Sequence, residues 1–82
     1  MLKITQEDSR LIVDVREAIQ KGFHPREDIV NTVKQAAKGT IIELHLPHRA
    51  QPLVNLLESM GMNCIIHELE PDHFRLTTVK MN

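Results

Sequence analysis

The side chains of this 82-residue chain that could do chemistry are few: five histidines, at 24, 45, 48, 67 and 73, one cysteine at 64, and two short basic segments, His24-Pro25-Arg26 and His48-Arg49. In GFHPRED, Pro25 suits the first position of a helix, because the N–H that proline lacks would have no partner there. Glu27 and Asp28 supply the acidic first turn that a helix start favours. His24 thus takes the capping place usually held by Ser, Asp or Asn, where an imidazole can accept a hydrogen bond from a first-turn N–H. The same ring could act instead as a ligand or a general base. The cap is the favoured assignment, since the sequence fixes no carboxylate or nucleophile beside it.

The other candidates sort by spacing. No histidine pair stands at i,i+4 on a helix, and His45 and His48 straddle a strand end and Pro47, so the four converging ligands of structural zinc are not expected. A transition-metal or haem role through His24 and His48 is the weakest alternative. Cys64 lies beside Ile65 and Ile66 in a predicted strand, the setting of a small buried apolar group; reactivity would require something to lower its pKa. No nucleophile, base and charge-stabilising group assemble as an active site needs, so catalysis is not expected.

The elements that position these residues follow from periodicity. Residues 1–9 show no period and form a lead-in; residues 10–82 form the single domain that this length allows. RLIVDVR alternates, with Leu11, Val13 and Val15 on one side and Ile12, Asp14 and Arg16 on the other, which predicts a half-buried strand. EAIQKGF reads as a connecting segment. A helix is predicted over 25–38, its apolar positions at Ile29, Val30, Val33, Ala36 and Ala37, with Gly39 as a left-handed cap. TIIELHLP is a second strand. PLVNLLESM is a second helix with a stripe at Leu53, Leu56, Leu57 and Met60; Gly61 ends it, and Met62 folds back on its last turn. NCIIHEL and HFRLTTVKM are strands joined by EPDH, whose Pro-Asp pair suits a tight reversal.

The order β-α-β-α-β-β and the alternating strands predict a two-layer α/β sandwich: a four-stranded mixed sheet with both helices on one face. Right-handed crossover makes the first two strands parallel, so the loops ahead of the two helices open at one end of the sheet. His24, Arg26, His48 and Arg49 then form a cationic rim around two sets of free backbone N–H groups, the physics of an anion site. The alternative is a set of solvated loop charges. On the open face, Ile12 and Ile41 point outward beside Asp14, Arg16, Glu43 and His45. That suggests a partner surface or a homodimer contact, unless Leu2 and Ile4 fold across them.

Composition narrows the partners. Ten basic and eleven acidic side chains give a net charge of -1, without blocks of either sign. Neither a polyanion nor an anionic membrane is implied. Phe23 and Phe74 are the only aromatic residues among Phe, Tyr and Trp, too few for base-stacking platforms. No apolar run spans a membrane, MLKITQEDSR lacks the core of a signal peptide, and one cysteine excludes an internal disulfide framework. A cytoplasmic setting is expected.

Taken together, DVR, a short connection, X-Pro opening a helix, glycine ahead of the second strand, a Gly-terminated second helix and the closing hairpin resemble the SirA/TusA-like fold. The resemblance spans residues 11–80 and rests on Asp14, Arg16, Pro25, Gly39 and Gly61. In those small sulfur carriers a Cys-Pro pair opens the first helix, and the cysteine carries a persulfide. The matching pair here is His24-Pro25, so the relay role is not implied, and Cys64 in the third strand does not stand at a helix N-terminus. A closer likeness is to a sister group of the same fold that also lacks the cysteine. Its second helix follows a Pro-containing loop and opens on Pro-Leu, similar to LPHRAQPL here. The resembled sheet pairs the third strand with the fourth, which keeps His67 away from His45. The expected function is that of a non-catalytic, cofactor-free accessory protein recognising an anion or a partner protein around His24, Arg26, His48 and Arg49. A divergent sulfur relay through Cys64 is the alternative, and a metal or haem accessory the weaker one.

Overall fold

Alternation along the strands becomes two unlike faces of one sheet. The computed structural model describes residues 2–81, which form β1 (Lys3–Glu7), β2 (Arg10–Asp14), α1 (Arg16–Gln20), α2 (Arg26–Gln35), β3 (Ile41–Leu46), α3 (Gln51–Ser59), β4 (Cys64–Glu70) and β5 (His73–Val79). The sheet order is β1-β2-β3-β5-β4. β2 and β3 are parallel, as expected, and the other neighbours are antiparallel. Leu11, Val13, Ile42, Leu44, Leu46, Phe74 and Leu76 point to one face and bury against Ile29 and Val33 of α2 and Leu53, Val54 and Leu57 of α3. Each fully buried side chain of this kind contributes roughly 1.5–3 kcal/mol relative to exposure. Residues one step out of phase, among them Ile12, Asp14, Glu43, His45 and Arg75, stand half-buried on the open face.

The class is as expected, but the sheet has five strands instead of four and the described residues form three helices instead of two. The added strand, β1, comes from the lead-in. All its residues are exposed, so no burial pattern marks it in the sequence. It is ordered by pairing with β2, from Lys3 opposite Asp14 to Glu7 opposite Arg10. The turn between them holds Asp8 at φ 52, a left-handed conformation that a short polar side chain tolerates. The N-terminal segment therefore lengthens the sheet and does not cross the open face.

The added helix, α1, lies in the expected connecting segment; five residues are too short to display a stripe. It closes on Gly22 at φ 88, with Gly22 N–H donating to Ile19 O and Phe23 N–H to Ala18 O, both at 3.0 Å. α3 ends the same way: Gly61 N–H donates to Glu58 O at 3.0 Å and Met62 N–H to Leu57 O at 3.1 Å. Both are Schellman closures, which require a left-handed residue after the last turn.

α2 departs from expectation at both ends. Pro25 is its N-cap, its carbonyl receiving the Ile29 N–H at 2.8 Å, and no side chain caps the helix. His24 therefore lies one residue outside the cap and does not serve as one. The helix stops at Gln35, where Ala36 turns extended at ψ 144. Lys80 Nζ then donates to the carbonyls of Val33 and Lys34, at 2.7 and 3.0 Å, supplying the cation that a helix C-terminus favours. Gly39 belongs to the following turn, its N–H donating to Lys80 O at 2.7 Å.

Candidate functional site: an apolar cavity between two helix N-termini

Parallel pairing of β2 and β3 places the entries to α2 and α3 at one end of the sheet. Between them lies a cavity of about 420 Å³. Its apolar lining comes from Ile19 of α1, Ile29 of α2, Leu46 of β3, and Pro52 and Leu53 of α3, with Pro25 between the helices. Phe23, 49% exposed, joins this lining. His24, Arg26 and His48 are the ionisable lining residues. Among the described residues, neither a carboxylate nor a hydroxyl or thiol nucleophile lines it.

Three of the four expected site residues thus converge. Arg49 does not. Its guanidinium lies over the Phe74 ring, 5.4 Å from the centroid, with Nη2 3.9 Å from Glu68 Oε1. The loop before α3 turns it away: Ala50, at φ 50 and ψ 50, is the N-cap of α3. His48 braces that turn by accepting the Ala50 N–H at Nδ1, 3.2 Å away. A lone pair on Nδ1 is needed for this bond, so the neutral ring carries its proton on Nε2, free for a ligand.

The two helix N-termini differ in what they offer. With Pro25 as cap, the N–H groups of Arg26, Glu27 and Asp28 have no intrahelical acceptor. At α3, Pro52 has no N–H and the Leu53 N–H is bonded to Ala50 O at 2.9 Å, which leaves that of Gln51. Glu27 and Asp28 already place negative charge at the start of α2. The cavity is therefore an apolar receptacle with a basic edge, and less a nest of N–H donors than the sequence suggested.

Phe23 and the apolar lining are the part that sequence reasoning missed. The one available signal was an aromatic residue standing outside any stripe, between a glycine and the His-Pro pair. Cys64, the alternative site, is half-buried at the start of edge strand β4, and burial pushes its thiol pKa up. Among the described residues no group of three or more His, Cys, Asp or Glu is placed to hold a metal ion. No helix among them is long and apolar enough to cross a membrane. Comparison with known protein families, with curated proteins and with solved structures gives no match.

Proposed function

We propose that this chain is a non-catalytic binding module of SirA/TusA-like architecture whose cavity receives an apolar group with an adjacent negative charge, presented by a partner protein. The observation that carries this reading is the joining, in one cavity, of an apolar lining from α1, β3 and α3 with the ionisable groups His24, Arg26 and His48. An inorganic anion would use only the edge; an apolar side chain next to a carboxylate would use both parts. The pairing of the last two strands and the His24-Pro25 pair at the entry to α2 support the architectural likeness. The alternative, sulfur relay through Cys64, needs a thiolate that the burial of this residue opposes. A lone, half-buried thiol suits the reducing cytoplasm, where we place the protein.

Backbone NMR titrations with N-acetylphenylalanine, its uncharged amide and inorganic phosphate test the reading. The carboxylate form should shift the amides of Phe23, Arg26, Ile29 and Leu53 more than either control, and Arg26→Ala should erase its advantage over the amide. Equal responses to all three probes, or shifts confined to other residues, overturn it.

A further inference from the structure

A second group of titratable side chains lies on the open face of the sheet, apart from the cavity. The β3–β5 register pairs Leu46 with Phe74 and His45 with Arg75, which sets His45 diagonally across from His73. The two rings meet with His45 Nδ1 2.8 Å from His73 Nε2, their centroids 5.1 Å apart. The far nitrogen of each ring faces a carboxylate: His45 Nε2 is 3.7 Å from Glu43 Oε2, and His73 Nδ1 is 3.8 Å from Glu70 Oε1. Both imidazoles are sheltered, with side chains 18% and 16% exposed.

The proton count of this row is unbalanced. Two neutral imidazoles carry two ring protons on four nitrogens. One proton must lie between the rings to make their contact a hydrogen bond, which leaves one for the two far nitrogens. Glu43 or Glu70 then faces a bare lone pair. A cation between the rings removes the conflict: both near nitrogens offer lone pairs to it, and both far nitrogens present N–H to their carboxylates. Metal-bound histidines commonly donate the outer N–H to a carboxylate, a bond for which the 3.7 and 3.8 Å separations here must close by about half an ångström. Ligands about 2.0–2.1 Å from an ion lie about 2.9 Å apart at right angles, as copper and nickel take them, and about 3.3 Å apart at the tetrahedral angle of zinc, which the rings reach by separating about half an ångström. Of the nearby cations, Arg10 and Arg16 are engaged by Glu43 at 3.3 Å and Asp14 at 2.8 Å. Arg75 stands opposite His45 in the strand register.

We propose that His45 Nδ1 and His73 Nε2 form a two-imidazole site for a divalent transition-metal ion, oriented by Glu43 and Glu70, with water in the remaining coordination positions. Zinc, copper and nickel suit imidazole, and copper binds most tightly in the usual order. The site is separate from His24 and His48, at the cavity.

The test is a titration of the whole chain with Zn²⁺ at pH 7.5, followed by calorimetry and by NMR of the ring nitrogens. The ion should move the signals of His45 Nδ1 and His73 Nε2, opposite ends of the two rings, and leave both outer nitrogens protonated. His45→Gln and His73→Gln should each weaken binding at least about tenfold, and Glu43→Gln or Glu70→Gln about tenfold. The double variant His24→Gln/His48→Gln should bind as the unaltered protein does. Should one histidine variant fail to fold, the other variant and the ring-nitrogen signals still decide. The proposal is overturned by unchanged affinity in a folded His45 or His73 variant, or by Zn²⁺ signals on other nitrogens. A pair that responds to acid and not to Zn²⁺ overturns it too, since the added charge would then be a third proton.

Discussion

On the helix-covered side of the sheet, Ile42, Leu44 and Leu76 are shut away from solvent. On the other side, Glu43, His45, Arg75 and Thr77 of the same two strands are half-buried and polar. One residue along the chain separates the two sets, because successive side chains of a strand point to opposite faces. The covered face holds the apolar core, and its composition is constrained by packing. The open face carries ion pairs, Arg10 with Glu43 and Arg16 with Asp14, that contribute little to stability and leave latitude for binding. The cavity belongs to neither face; it forms where the helix layer ends and apolar lining residues meet solvent.

The contrast is broken most severely from the covered side. Leu44→Ala should cost about 2–5 kcal/mol in denaturant unfolding, while Thr77→Ala, on the adjoining strand and the opposite face, should cost under about 1 kcal/mol. Similar losses would mean that the two faces share the core. Next is Lys80, 9% exposed, the buried cation at the end of α2. Lys80→Met keeps the apolar stem and leaves the Val33 and Lys34 carbonyls without their donor, at about 1–3 kcal/mol. Amide exchange should quicken in the last turn of α2.

The open face answers to acid. Arg16 donates to Asp14 from Nε at 3.1 Å and from Nη2 at 2.8 Å, which holds the Asp14 carboxyl below its ordinary 3.8. The unfolded chain takes up this proton first, so the stabilisation is fully present above pH 3.8 and is lost as pH falls through the lower folded value. Unfolding free energy measured against pH should steepen in that window, and Asp14→Asn should remove that part of the slope. The smallest effect is expected at Arg49. Its side chain is 64% exposed, and Arg49→Ala should cost under about 1 kcal/mol while leaving the cavity titration unchanged. A loss of N-acetylphenylalanine response in that variant would return Arg49 to the site.

What was legible in the sequence was whatever burial had written there. Leu11, Val13, Ile42, Leu44 and Leu46 alternate because one face is covered, and from them followed the parallel pair and the meeting of His24, Arg26 and His48. β1 was not legible because an edge strand with every side chain exposed has nothing to alternate. α1 was hidden by its brevity. The position of Arg49 depends on Phe74, 25 residues onward, and on the left-handed Ala50, neither of which spacing reveals. His45 and His73 are 28 residues apart and meet only through the β3–β5 register. Comparing His45 with His67 missed the pair, because those two strands are separated by β5.

The place of β5 between β3 and β4 sets the order in which this molecule can be made. A ribosome delivers β1, β2, β3 and β4 before the strand that joins them, so the emerging chain holds a β1-β2-β3 fragment and a lone β4 strand, with facing, unfilled edges. Residues 73–79 close that gap, and Lys80 directly after them fastens α2, which was synthesised long before. Completion of the sheet is thereby deferred until β5 has emerged. A nascent chain stalled short of β5 should be readily degraded, while one that has released it acquires the sheet and the end of α2 together.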